Sequence, residues 1–205
     1  MKKKFLSLMM VAAMVATTSV SAFADETVTQ DGSEVKVTVT GSVNNNRDVA
    51  PAGTLSVTVP TALTFSVNSS GKLTGSKIVI TNRGTEKVDV FAYQFVDSSP
   101  ETGIVVKKSL TGSGEKRSDV TLALEGSEAI ATLSSEPGSN KGIYGTGVNN
   151  DDGLKIAVVG TGSQNSETLT LSGTAGTDPL INSEAEEGVS ERFTLRLKIK
   201  KAAKA

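Results

Sequence analysis

The stretch LSVTVPTALTFSV, residues 55–67, decides the fold class. Apolar residues occupy every second position on both sides of Pro60, namely Leu55, Val57 and Val59 before it and Leu63, Phe65 and Val67 after it. Successive side chains of a strand point to opposite faces, so this period of two predicts two β-strands, each with one apolar face. Proline has no N–H to give to a ladder, so Pro60 predicts a corner between two sheets.

The same alternation recurs along the rest of the chain, between turns rich in Gly, Asn and Ser. Its clearest segments are residues 35–39, 78–80, 120–124, 154–158, 169–171 and 193–199. No segment carries an apolar stripe at helical spacing across three turns, so long helices are not expected. About ten to twelve short strands predict an all-β fold, a two-sheet antiparallel β-sandwich of the jelly-roll or Greek-key kind with long polar loops.

Three parts of the chain receive more specific predictions. Residues 88–96 are the most apolar stretch after the export signal and predict a central strand buried on much of both faces. Residues 103–118 and 134–153 are rich in polar residues and Gly and predict long loops or a protruding hairpin. Near the end, four glutamates precede a run of Arg and Lys. This pattern indicates a solvated loop and an edge strand protected by lysines, or an electrostatic contact between neighbouring subunits.

The first residues have the pattern of an export signal. Lysines at positions 2–4 precede the apolar residues 5–15, and small residues stand at Ala22 and Ala24. This pattern predicts cleavage after Ala24 and a secreted protein, extracellular or at the cell surface, with no membrane span after cleavage. The expected organisation is a signal peptide (1–24), an N-terminal strand with its connector (25–43) and the sandwich (44–205).

The composition excludes several kinds of chemistry. Among 205 residues there is no Cys, His or Trp, and the formal net charge is −1. Disulfides, Cys or His nucleophiles and the usual His/Cys metal sites are therefore excluded. No basic face of the kind that binds nucleic acid is visible. We expect no enzymatic activity, no catalytic residues and no cofactor.

Two local features allow a functional interpretation as well as a structural one. The sequence NNDDG, residues 149–153, resembles half of a calcium loop, but Val148 and Val159 stand where further oxygen ligands are needed, so a turn is expected. A Lys with an Asn or Asp inside the sandwich could form an isopeptide crosslink, although the sequence does not identify the pair. Loss of about 17 Da from the intact mass, the mass of ammonia, would reveal the Asn form of that crosslink.

The segment V-P-x-x-L-x-F around Pro60, followed by I-x-I-T-N at residues 78–82, resembles exported β-sandwich proteins of Gram-positive bacteria. It is similar to WxL-type cell-wall-associated proteins and, more distantly, to TasA/camelysin-like biofilm fibre proteins. The resemblance covers residues 53–96, and a looser similarity is present at residues 193–197. It implies a β-sandwich at the cell surface whose partners are copies of itself or cell-wall and matrix components. Camelysin-like proteins have been labelled metallopeptidases, but without His there is no HExxH motif to carry that activity.

The N-terminal strand is the candidate functional site. It alternates cleanly and precedes a polar connector, so it could pair within its own sheet or insert into a neighbouring copy as a donor strand. Its predicted apolar anchors at a subunit interface are Val28, Val35, Val37 and Val39. The expected function is a self-assembling surface or biofilm-matrix fibre subunit. The alternative is a monomeric adhesin that recognises a glycan or protein through loops near residues 112–116 and 138–147.

Overall fold

The computed structural model describes residues 26–28, 31–32, 34–38, 55–68, 70–98, 103–138, 140–180 and 189–203. Within them the chain forms fourteen β-strands: β1 (Glu26–Val28), β2 (Glu34–Thr38), β3 (Val57–Val59), β4 (Phe65–Val67), β5 (Leu73–Gly75), β6 (Lys77–Asn82), β7 (Val88–Asp97), β8 (Val105–Val106), β9 (Asp119–Glu125), β10 (Ile130–Leu133), β11 (Ile143–Tyr144), β12 (Leu154–Val159), β13 (Ser166–Ala175) and β14 (Phe193–Lys201). Short 3-10 turns lie at Asn140–Gly142 and Gly162–Gln164. None of the described residues belongs to a helix with the length and apolarity needed to cross a membrane.

The strands form two large sheets and one small one. The eight-stranded sheet has the order β1-β3-β6-β13-β9-β10-β11, and β8 pairs with β9 beside this path. The four-stranded sheet has the order β12-β7-β14-β2, and β4 pairs with β5 in a separate hairpin. The pairs between the named strands are antiparallel except β8 with β9, which is parallel.

Both large sheets contribute side chains to one hydrophobic core, as a β-sandwich requires. The inner face of β13 brings Leu169 and Leu171, and the inner face of β14 brings Leu195 and Leu197. Two aromatic rings lie in this core, and Phe95 and Phe193 stack with their centroids 5.3 Å apart. The all-β prediction is therefore confirmed.

The corner at Pro60 is also confirmed. Strand β3 ends at Val59 in the eight-stranded sheet, and β4 begins at Phe65 in the small hairpin. Between them Leu63 is buried, so the apolar face resumes immediately after the corner. The missing N–H of proline therefore ends one ladder where the chain leaves its sheet.

One strand prediction is confirmed and another is wrong. Strand β7 is central, between β12 and β14, with its inner residues fully buried and Asp89, Phe91 and Tyr93 on the other face half-buried. Strand β14 is not an edge, because β7 pairs with it on one side and β2 on the other. Charged residues on β14 therefore occupy the outer face of an interior strand.

The two segments predicted as long polar loops are partly built into the core. Strands β8 and β11 fall inside them, and Val106 and Ile143 are fully buried. Gly142, with φ of 76°, lies so close to the β7 backbone that an added Cβ would stand 2.2 Å from the carbonyl oxygen of Phe95. The polar residues around Val106 and Ile143 made both segments resemble loops, although these two apolar side chains join them to the core.

Replacing Phe193 with Ala should lower the free energy of unfolding by about 3–5 kcal/mol, because the stacked ring fills the core. The matched control is Phe91→Ala, which removes the same side chain from the half-buried outer face of β7. Chemical denaturation of both variants measures the difference. Equal losses would contradict the placement of Phe193 in the core.

Candidate functional site

The N-terminal segment supplies an edge strand to each large sheet. Strand β1 pairs with β3 at the edge of the eight-stranded sheet, over three residues. Strand β2 pairs with β14 at the edge of the four-stranded sheet, over five residues. One short segment therefore closes both sheets on the same side of the molecule, and we call β1, β2 and the turn between them the N-terminal clasp.

The clasp contains three of the four predicted anchor positions. Val28 is in register with Val57 of β3. In β2, Val35 is in register with Leu197 of β14, and Val37 is in register with Leu195. Val57, Leu195 and Leu197 are all fully buried. Val39 and the cleavage residues Ala22 and Ala24 lie outside the described residues.

A turn fastens the clasp to the end of β14. The backbone N–H of Gly32 donates to the carbonyl oxygen of Ile199 at 3.0 Å. The backbone N–H of Lys201 donates to Oδ1 of Asp31 at 2.6 Å. The Asp-Gly dipeptide is a common turn signal, but its contact with the chain end is long-range and the sequence does not reveal it.

An ion pair between Glu34 and Arg196 adds a weak attachment. Their side-chain atoms lie 3.7 Å apart, and the two side chains are 38% and 37% exposed. A pair so open to solvent contributes between zero and about 1 kcal/mol. The backbone ladder, rather than this pair, therefore holds β2 against β14.

The other described sheet edges are short or interrupted. Strands β8 and β11 have two residues each. At the edge strand β12 the register shifts between Lys155 and Ala157, and the carbonyl oxygen of Ile156 accepts a hydrogen bond from the backbone N–H of Glu128. Short and bulged edges resist pairing with other chains. By contrast, β14 has nine residues, and β2 is what covers its free side.

A cluster of charged and aromatic side chains covers the outer face of the four-stranded sheet. Lys198 and Lys200 each lie 2.9 Å from a carboxylate oxygen of Asp152. Hydrogen bonds from Lys200 and then Lys198 lower the pKa of Asp152. Lys141 donates to the hydroxyl of Tyr93, over whose ring its ammonium lies.

The possible calcium half-loop lies in this cluster. Asn149 and Gly153 form a β-bridge, and Oδ1 of Asn149 accepts the backbone N–H groups of Asp151 and Asp152. Two lysine ammonium groups, rather than open space, surround the Asp152 carboxylate. The described residues contain no group of three or more acidic side chains that could hold a metal ion. The segment therefore has the geometry of a turn that is fastened to β14.

A second charged cluster ties the segment after β8 to β9. Lys107 lies 2.5 Å from Glu115 and 3.2 Å from Asp119. The hydrogen bond from Lys107, with further hydrogen bonds from Thr111, lowers the pKa of Glu115 to about 2. The hydrogen bond to Glu115 in turn raises the pKa of Lys107.

This cluster brings a lysine next to an aspartate, the pair type that an isopeptide crosslink needs. Amide formation requires a neutral amine, whereas the raised pKa of Lys107 favours its charged form. The contacts of this pair therefore support an ion pair. The crosslink stays a prediction to be measured by intact mass.

Comparison with known proteins found no relative of this chain. No protein-family model, no curated protein and no solved structure shows significant similarity to this chain. The functional argument therefore rests on the residues and their contacts.

The Glu115 pair predicts a specific acid dependence of stability. The folded pKa of about 2 lies below the ordinary value of 4.5, so ionised Glu115 stabilises the fold above pH 4.5, and this contribution disappears as the pH falls towards 2. In Glu115→Gln, the urea midpoint should fall less over this interval than in the parent chain. The control is Glu125→Gln, at the exposed end of β9. Parallel pH profiles for parent and Glu115→Gln would contradict the pairing.

Proposed function

We propose that this protein is a non-enzymatic extracellular structural subunit that assembles into a surface or biofilm-matrix fibre by exchanging its N-terminal clasp between copies. The observation that carries the proposal is that one segment supplies an edge strand to both sheets. In the isolated chain the clasp lies against its own β3 and β14. The same ladder can form when the clasp of a second copy occupies those edges.

The connection between the clasp and the rest of the chain permits such an exchange. Residues 39–54 join β2 to the segment that begins at Leu55. A chain of that length spans up to about 50 Å when extended, which is more than the width of a small domain. The clasp can therefore leave its own sheets and reach a neighbour while it stays covalently attached.

Exchange of this kind builds chains of unlimited length. Each copy donates its clasp through one surface and accepts another clasp through a different surface, β3 and β14. Such a head-to-tail contact is heterologous, and where its rotation does not close into a ring it produces an open filament. Because the other described edges are short or bulged, joining through β14 is favoured over random edge pairing.

The charged groups of the described residues support a structural role. Each of the two clusters holds a loop against a sheet, one through Asp152 and the other through Glu115. The absence of Cys and His from the sequence, the export signal and the resemblance to matrix proteins favour an extracellular building material over an enzyme.

Cysteine pairs test the exchange directly, because the chain has no cysteine of its own. Thr27 and Thr58 are in register across β1 and β3. Residues directly opposite in an antiparallel ladder have Cα atoms about 4.5–5.5 Å apart, which suits a disulfide. When mature Thr27→Cys and Thr58→Cys chains are mixed under assembly conditions and oxidised, we expect covalently linked pairs. The double variant should form a ladder of covalent multimers in reducing-agent-free gels.

The matched control replaces Thr58→Cys with Thr132→Cys, in β10, which is four strands away from β3 in the sheet order. The control mixture should give few linked pairs, and electron microscopy of the parent chain should show filaments. A double variant that forms monomers with an internal disulfide, together with discrete particles in the microscope, would refute the exchange. That result would favour the monomeric adhesin.

A further inference from the structure

The outer face of the eight-stranded sheet differs in chemistry from that of the four-stranded sheet. Its outward positions carry mainly Thr and Ser, whereas the outer face of the four-stranded sheet carries many charges of both signs. The outward charged residues of β3, β6, β13, β9 and β10 are Lys77, Glu125 and Asp119, and Asp119 is paired with Lys107. We call the outward positions of these five strands the hydroxyl face.

Large apolar side chains are exposed on this face. Among the described residues, the exposed large hydrophobic side chains are Val79, Val96, Val105 and Ile130. Val79 and Ile130, at 48% and 54% exposed, lie on the hydroxyl face. Val105 lies beside it in β8, in register with Asp119. Covering this face with another surface therefore removes apolar area from water.

Hydroxyl pairs between strands lower the cost of covering this face. Thr121 and Thr174 are in register, and their hydroxyl oxygens lie 2.7 Å apart. The hydroxyl oxygens of Thr81 and Ser166, also in register, lie 3.4 Å apart. A hydroxyl that has a hydrogen bond within its own sheet loses less when water is removed. The hydroxyl face therefore needs fewer polar partners from a second surface.

The other two charges form a row across the centre of the sheet. Thr170 of β13 is in register with Lys77 of β6 on one side and with Glu125 of β9 on the other. Neighbouring strands lie about 4.8 Å apart, so Lys77 and Glu125 stand about 10 Å apart with Thr170 midway. Within the described residues neither side chain forms an ion pair. A cation and an anion thus lie at equal distances from one central residue.

We propose that the hydroxyl face packs against the same face of a second copy, about a two-fold axis that runs parallel to β13 above Thr170. This rotation exchanges the two sides of β13, so Lys77 of each copy meets Glu125 of the other. An axis across the strands would instead place Lys77 on Lys77 and Glu125 on Glu125. Two ion pairs between unlike charges therefore select one isologous arrangement of the two identical faces.

The size of the hydroxyl face corresponds to a weak, concentration-dependent contact. Each outward residue occupies about 4.8 Å across the strands and about 6.7 Å along them. The face therefore covers roughly 500 Å², and two copies bury about 1,000 Å², the lower limit for a specific interface. Two twisted sheets in aligned face-to-face packing provide the geometry.

This contact is independent of the clasp exchange. It uses outward side chains of β6, β13 and β9, whereas the exchange uses the backbone edges of β3 and β14. Between filaments it joins two of them side by side, and between chains that do not exchange it produces discrete dimers. Because its ion pairs form only between copies, they add nothing to the stability of a separate chain.

Chemical crosslinking of the mature chain tests the contact, since the chain has no cysteine of its own. Packed sheets lie about 10 Å apart, so a bismaleimide of about that span should join two Thr170→Cys chains at the axis. The product is a covalent dimer on a denaturing gel, which separates it from filaments held by the clasp. The matched control is Thr194→Cys, a half-buried position on the outer face of the interior strand β14, which should give few dimers.

Charge reversal identifies the partner surface. In the Thr170→Cys background, Lys77→Glu makes both charges of the row negative, and Glu125→Lys makes both positive. Each variant alone should crosslink roughly tenfold more slowly, as expected for the loss of two exposed ion pairs with added repulsion. An equal mixture of the two variants should restore crosslinking between unlike copies. The Lys77→Glu/Glu125→Lys double variant should restore it within one population.

Equal dimer yields from Thr170→Cys and Thr194→Cys would overturn the proposal, and so would a mixture that crosslinks as slowly as its components. An introduced cysteine at position 170 that is protected from a monofunctional maleimide, without dimer formation, would show that the face is covered within its own copy. That result would also overturn the proposal. Retention of the crosslink in chains that form no filaments would support this contact and refute the clasp exchange.

Discussion

The pairing of β14 with a strand on each side is the constraint on which the rest of the structure depends. Strand β7 pairs with it over nine register positions and β2 over five. Its inner side chains fill the core, and Phe193 at its start stacks on Phe95 of β7. Its outer side chains hold the turn at Asp152, and its backbone edge holds the clasp. Without β2, this nine-residue strand with its apolar inner face would be the sheet edge that most needs a partner.

Charges on β14 are therefore attachment points rather than protection of an edge. Lys198 and Lys200 fix the turn at Asp152, and Arg196 meets Glu34 of the clasp. The strand thus uses different atoms for its two attachments, its backbone edge for the clasp and its outer side chains for the turn at Asp152.

Much of the fold could be predicted from local patterns. The alternation around Pro60 indicated two strands and a corner, and NNDDG indicated a turn, because both depend on residues adjacent in the chain. The interior position of β14 could not be predicted, since lysines on an outward face look the same on an edge strand and on an interior one. Likewise, Val106 and Ile143 are isolated apolar residues within polar segments, and only their contacts with the core show that they are buried.

The order of residues along the chain determined the all-β class and the candidate valines of the N-terminal strand, because side-chain alternation and turn chemistry act over a few neighbours. Tertiary structure alone decided that β1 and β2 belong to different sheets and that both lie at edges. It also decided that Asp31 meets Lys201 and that Lys107 meets Glu115 and Asp119. The physical reason is that a strand's polar backbone specifies no partner. The partner is selected when distant strands bury their apolar faces together.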